Sequence, residues 1–126
     1  MSLSAEQLNM ARTDPRRFLE QALILPIYIQ ARTSLLNDFQ ELGDDGKATV
    51  NELEKKLESM KTLIVDIYTL CRNCVKDDQC RLALELRFFK GLKIKEVAEC
   101  LDYTYRWTLY IINRALKAFV DGLPPE

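Results

Sequence analysis

The feature that most constrains the fold is a series of apolar residues spaced alternately three and four positions apart in the middle of the chain. The series comprises Val50, Leu53, Leu57, Met60, Ile64, Ile67, Cys71 and Cys74. This spacing matches the a and d positions of a coiled coil, so it predicts one long helix with an apolar seam along one side. A helix of about 28 residues is a rod of roughly 40 Å, and its seam needs an apolar partner.

The segment before this helix has the properties of that partner. Asp14 suits a helix N-cap and Pro15 the first helical position, so a helix is predicted to start there and to run to about Leu42. Its apolar positions repeat the same spacing, with Arg32 as the one polar member: Phe18, Ala22, Leu25, Ile29, Leu36 and Phe39. The intervening Gly-Asp-Asp-Gly at 43–46 is a turn signal, so the two helices form an antiparallel, coiled-coil-like αα-hairpin over residues 14–76.

Apolar residues also lie off this seam and predict a second contact face on the hairpin. They are Leu23, Ile24, Leu63 and Leu70. Two helices cannot bury apolar surface on more than one side, so this face must meet either the C-terminal part of the chain or a second copy. We expect the hairpin to mediate a homodimer. Residues 1–13 are weakly patterned and are predicted to be an N-terminal arm or a short helix.

Residues 77–121 are predicted to form three short helices, with residues 122–126 as a tail. Gly91 stops the first helix, and Thr104 suits the N-cap of the third because its hydroxyl can accept a backbone N–H. Asp102 tolerates the left-handed backbone that a tight turn between helices needs. A support helix followed by two helices on a three-residue turn is the helix-turn-helix plan. The predicted helices are Asp78–Lys90, Ile94–Leu101 and Tyr105 to about Val120.

Three segments of this region resemble region 4 of bacterial sigma factors: Leu84–Leu92 (LELRFFKGL), Lys95–Leu101 (KEVAECL) and Arg114–Lys117 (RALK). Their order and spacing carry the resemblance, which covers about a third of the chain. The whole chain also resembles a family of small phage-encoded proteins, described as transcriptional regulators, in which a helical N-terminal half precedes such a module. The resemblance implies an all-α protein that binds double-stranded DNA.

The resemblance also implies which residues face DNA. In the third helix, Arg106 and Asn113 can read base edges and Tyr110 can contact phosphate, whereas Lys93 and Lys95 can hold the DNA backbone. The predicted DNA-binding residues are therefore Lys93, Lys95, Thr104, Arg106, Trp107, Tyr110 and Asn113. Where related recognition helices often carry Lys or Arg, this one has Leu109, Tyr110 and Ile111. The alternative is that the apolar residues of this helix pack against the hairpin or a partner: Trp107, Leu109, Ile111 and Ile112.

The distribution of charge agrees with a basic C-terminal module. The formal net charge of the chain is −1, which by itself gives no signature for nucleic acid. Residues 80–120, however, hold eight Lys/Arg and four Asp/Glu, a net charge of +4, whereas residues 1–79 carry −3. The positive charge is therefore concentrated in the predicted helix-turn-helix.

The composition argues against an enzyme. The chain has no histidine, which removes Ser-His-Asp and Cys-His catalysis and any histidine metal ligand. No glycine-rich phosphate loop occurs, so we predict no catalytic residues and no cofactor. Cys71 and Cys74 form a C-x-x-C that Cys80 and Cys100 could complete as a four-thiolate zinc site. We favour buried free thiols, because Cys71 and Cys74 also complete the apolar seam.

Two further expectations concern location and partners. The N-terminus MSLSAEQLNM lacks the apolar core of a signal peptide, and the longest apolar run, at 22–29, contains Pro26 and is too short to span a bilayer. We therefore expect a cytoplasmic protein with no membrane contact, in the bacterial host if it is phage-encoded. The alternative function is a protein-binding module that docks on RNA polymerase or another host protein and inhibits it.

Overall fold

The computed structural model describes residues 3–125, which form six α-helices and no strand. The all-α class predicted from the spacing of apolar residues is therefore confirmed. A 3₁₀ turn, Gly43–Gly46, joins the second and third helices, and a π-helical turn, Glu85–Phe89, follows the fourth. The helices are α1 (Ala5–Thr13), α2 (Pro15–Gln40), α3 (Lys47–Cys74), α4 (Asp78–Leu84), α5 (Ile94–Leu101) and α6 (Tyr105–Asp121).

The N-terminal segment is a helix rather than an irregular arm over the part that the structure describes. Ser4 caps α1 by accepting the backbone N–H of Gln7 at 3.1 Å. Asp14 then ends α1 and caps α2, accepting the backbone N–H of Arg17 at 3.2 Å, with Pro15 at the first position of α2 as predicted. Residues 1 and 2 of the predicted arm lie outside the described residues.

The turn between α2 and α3 is tight because two glycines permit it. Gly43 has a φ of +64°, a left-handed conformation that glycine adopts without strain. A Cβ on Gly46 would lie 2.5 Å from the carbonyl oxygen of Phe39, so a larger residue cannot occupy this position without moving the backbone. The turn sends α3 back along α2, and these two helices pack against each other.

The helix predicted over Asp78–Lys90 changes character part-way. Its α-helical part ends at Leu84, and the π turn that follows is closed by a 2.9 Å bond from the N–H of Lys90 to the carbonyl of Glu85. The wider turn buries Phe88 completely and brings the ring of Phe89 to 5.1 Å from that of Tyr68, edge to face. Gly91, with a φ of +81°, then ends the helix, as predicted.

The hydrophobic core lies where the N-terminal part of α2 and the C-terminal part of α3 meet α1, α4 and α6. The rings of Phe18 in α2 and Phe119 in α6 stack there with centroids 5.8 Å apart, and both are fully buried. Leu70, predicted to lie on a second contact face, belongs to the same buried cluster as residues of α4 and α6. Part of that face therefore meets the C-terminal helices of the same chain.

Towards the turn, the α2–α3 pair is much less buried. In the seam of α3, Leu57 is buried, whereas Val50, Leu53 and Met60 are partly exposed. Among residues 24–56, only Gly46 is buried. The distal half of the helix pair therefore projects from the core as two helices with little cover. No helix within residues 3–125 combines the length and the apolar character needed to cross a membrane.

Candidate nucleic-acid interface

The candidate interface is built on α5 and α6, which a three-residue link joins. The carboxylate of Glu96 accepts the backbone N–H of Lys93 at 2.9 Å and so caps the start of α5. At its end, Asp102 adopts the left-handed conformation predicted for it (φ 56°, ψ 46°). The hydroxyl of Thr104 accepts the N–H of Trp107 at 3.0 Å, which confirms the predicted cap of α6.

Helix α6 has one buried face and one exposed face. The buried face packs into the core and comprises Thr108, Ile111, Ile112, Ala115, Leu116 and Phe119. Ile111 and Ile112 thus pack within the chain, as the alternative interpretation predicted, whereas Trp107 is 44% exposed and does not pack into the core. The exposed face comprises Tyr105, Arg106, Trp107, Tyr110, Asn113, Arg114 and Lys117.

An aromatic pair dominates the first two turns of this exposed face. The rings of Trp107 and Tyr110 stack with centroids 5.0 Å apart and planes 24° apart. Together with Thr104 and Arg106 they line a shallow depression of about 280 Å³. Two large, half-exposed rings side by side make this pair a candidate contact surface of α6.

The predicted base-reading residue Asn113 has a neighbour that the sequence did not indicate. Its side-chain oxygen accepts a hydrogen bond from the guanidinium of Arg16, at the start of α2, at 3.2 Å. The two residues are 97 positions apart, and no local pattern signals such a pairing. Arg16 therefore orients Asn113 and adds a cation beside the exposed face of α6.

The cations of this region are exposed on two helices. Lys93 and Lys95 lie at the start of α5, and Arg106 lies in the first turn of α6. Arg114 and Lys117, which were not predicted to bind DNA, continue the exposed face of α6. Because residues four apart lie on the same side of a helix, Lys117 extends the line that contains Arg106, Tyr110 and Asn113, and the periodicity alone could have identified it.

The four cysteines differ in their exposure to solvent. Cys71, Cys74 and Cys80 are buried, and Cys100 is exposed on α5. Burial raises the pKa of Cys71 to about 12, and it also raises the pKa values of Cys74 and Cys80. Among residues 3–125, the cysteines and acidic side chains form no group of three or more that could hold a metal ion.

We expect this difference in burial to control the reactivity of the thiols. The thiolate is the reactive species, so a raised pKa and a buried sulfur both slow alkylation. In the folded protein, iodoacetamide should modify Cys100 first and leave Cys71, Cys74 and Cys80 largely intact until denaturant is added, as peptide mass spectrometry would show. Protein purified without chelator should contain far less than one zinc per chain. Fast labelling of Cys71, or stoichiometric zinc removed only with loss of helicity, would contradict this assignment.

Comparison of the chain with models of protein families, with curated proteins and with solved structures found no match. Function must therefore be argued from the residues of α5 and α6 and from what surrounds them.

Proposed function

We propose that this protein is a sequence-specific DNA-binding regulator of transcription whose α4–α6 region acts as a sigma region 4-like helix-turn-helix. The observation that carries the proposal is the exposed face of α6. It presents Arg106, Tyr110 and Asn113 in one line, directly after a link closed by a left-handed residue. A helix of this kind, presented by a supporting helix across a short turn, is the geometry that enters the major groove.

Each predicted residue has a role in this proposal. Arg106 and Asn113 read base edges, since guanidinium and amide groups can each make two hydrogen bonds to a base. Tyr110 and Thr104 contact phosphate or position the helix. Lys93 and Lys95 neutralise phosphates on the flanking backbone, and Trp107 packs against a sugar or a base methyl group. Arg114, Lys117 and Arg16 add positive charge beside this face.

The proposed setting follows from the resemblance and from the α2–α3 pair. We place the protein in the cytoplasm of a bacterial host, as a phage-encoded regulator that acts as a homodimer through its helical hairpin. A dimer doubles the number of phosphate contacts. This matters here because each chain offers few cations and carries a net charge of −1.

One observation favours a second function. The stacked rings of Trp107 and Tyr110 are 44% and 53% exposed, and aromatic residues of this kind anchor protein–protein interfaces. The alternative proposal is therefore a module that docks on RNA polymerase or another host protein through this aromatic pair and inhibits it.

The DNA-binding proposal predicts that the protein slows the migration of specific DNA fragments in a gel-shift series. The probes would be intergenic fragments of the genome that encodes the protein, each measured at two salt concentrations with a scrambled fragment of equal length as control. The association constant should fall as salt rises. In a plot of its logarithm against the logarithm of the salt concentration, each neutralised phosphate contributes about −0.9 to the slope. The total slope should be shallow because the cations are few. Equal affinity for every fragment, or no binding at the lower salt concentration, would contradict sequence-specific binding.

A further inference from the structure

The distal half of α2 carries a second apolar seam that faces solvent. Its apolar side chains are exposed by about half: Ile24 48%, Tyr28 52%, Leu35 46% and Leu42 56%. Together with Ala31 and Asp38 they are spaced four, three, four, three and four positions apart, the same alternation as in the inner seam. Five of these positions lie in α2 and Leu42 lies two residues beyond its end at Gln40; a series in this register favours a helix–helix contact.

The two seams of α2 lie on different sides of the helix. Ile24 immediately precedes Leu25 of the inner seam, and consecutive residues are about 100° apart around a helix. A helix with two apolar seams at roughly a right angle has two helical neighbours, as in a four-helix bundle. Within the described chain α2 packs along α3, and none of residues 24–42 is buried.

The exposed surface of α3 is different in kind. Over the same length it presents mainly charged residues: Glu52, Glu54, Lys55, Lys56, Glu58 and Lys61. Val65 is its one large apolar side chain that is mostly exposed, at 61%. The unpartnered apolar surface of the hairpin is therefore concentrated on α2, and a partner helix would lie against α2 and not against α3.

We propose that the outer seam, from Ile24 in α2 to Leu42 just after α2, packs against the same seam of a second copy in an antiparallel, two-fold symmetric contact that completes a four-helix bundle. The inference rests on the self-association included in the proposed function, to which it adds a surface and a register. It does not depend on DNA binding. The helical part of the contact, residues 24–40, would extend over about four and a half turns, or about 24 Å.

Charge selects the antiparallel orientation. Arg17 precedes Ile24 by seven residues, so it lies at the same heptad position and extends the seam at its N-terminal end with an exposed cation. The other end of the seam reaches the acidic turn that contains Asp44 and Asp45, both exposed. Antiparallel copies bring Arg17 of each chain towards the acidic turn of the other, whereas parallel copies would bring the two acidic turns together.

The seam is also complementary to itself in one register. This register places the two-fold axis midway between Ala31 and Leu35. Each of the six seam positions then lies level with a seam position of the other copy, an a position with a d position. In that register Ala31 lies level with the partner's Leu35, a small side chain opposite a larger one. Tyr28 lies level with the partner's Asp38, so the phenol O–H can donate to a carboxylate, and Ile24 lies level with the partner's Leu42.

The surface is tested by Leu35→Glu with Val65→Glu as its matched control. Both positions are exposed apolar residues of the hairpin, but only Leu35 is in the seam. The molar mass of each protein would be measured by light scattering without DNA, and circular dichroism would verify the helical content. We expect a dimer for the unmodified chain and for Val65→Glu, and a helical monomer for Leu35→Glu. A monomeric unmodified chain at high concentration, or a dimeric Leu35→Glu variant, would overturn the proposal.

The orientation is tested by disulfide trapping in a Cys100→Ser background, where the remaining native thiols are buried. Single variants Ala31→Cys and Leu35→Cys would be oxidised separately and as an equimolar mixture. In the antiparallel register the mixture should form covalent dimers far faster than either variant alone. Parallel copies would instead cross-link each variant to itself, and that result would overturn the register. Because DNA is absent, a monomeric chain would remove the homodimer from the proposed function without testing DNA contact by α6, and a failed gel shift would leave the dimer contact untouched.

Discussion

Replacing Phe119 by alanine is expected to lower the free energy of unfolding by about 3–5 kcal/mol. Phe119 is fully buried near the C-terminal end of α6, and its ring stacks on Phe18 with centroids 5.8 Å apart. The substitution removes a large apolar side chain and leaves a cavity between α2 and α6. Since domains of this size are stable by only about 5–15 kcal/mol, the variant would be close to unfolding.

The measurement is a denaturant titration followed by circular dichroism, with the variant and the unmodified protein compared at the same protein concentration. Val65→Ala is the control, because Val65 is 61% exposed and its truncation should change stability by no more than about 0.5 kcal/mol. A loss below about 1 kcal/mol for Phe119→Ala would show that α6 does not depend on the stack with Phe18.

Replacing Arg106 by alanine is expected to weaken specific DNA binding by about 1–3 kcal/mol and to relax the preference at one base pair. Arg106 is exposed at the start of α6, where a guanidinium can reach a base edge. Lys93→Ala or Lys95→Ala should behave differently. Each should weaken binding to all sequences about equally and reduce the salt slope by about one unit, because a lysine on phosphate carries no sequence information.

These variants would be compared by fluorescence titration on one specific and one scrambled duplex, with Lys61→Ala as control. Lys61 is an exposed lysine on α3 and not on α5 or α6, so its loss should leave both affinities unchanged. A pull-down from host lysate with the unmodified and Trp107→Ala proteins would be run in parallel. DNA binding unaffected by Arg106→Ala, with a protein partner lost in Trp107→Ala, would favour the protein-docking function.

Local features of the fold could be predicted from the sequence because they depend on neighbouring residues. The caps at Asp14 and Thr104 and the start of α5 each follow from a side chain that bonds to a backbone group three residues away. The end of α5 follows from the left-handed backbone of Asp102. The seam of α3 could be predicted in the same way, since helical periodicity brings residues three and four apart onto one side.

The candidate site could be predicted only in part, because periodicity identifies residues on one side of a helix but not which side is buried. Periodicity places Arg106, Tyr110 and Asn113 on one side of α6, and it would also have indicated Lys117. It could not separate Trp107, which is exposed, from Ile111 and Ile112, which are buried, because all three are large and apolar. Which side of α6 faces the core depends on where the ends of α2 and α3 lie.

Residue spacing was enough to predict the two long helices, the helices after Gly91, the caps at Asp14 and Thr104, and more apolar surface than one hairpin can bury. How that surface is divided depends on packing between distant segments: Leu70 joins the core, whereas Ile24 and Leu35 face solvent. Tertiary structure likewise brought Arg16 to Asn113 and Phe18 to Phe119 across about a hundred residues. The physical reason is that helix periodicity is a property of neighbouring residues. The burial of a side chain, in contrast, depends on packing between segments far apart along the chain, and no pattern of neighbouring residues indicates which segments meet.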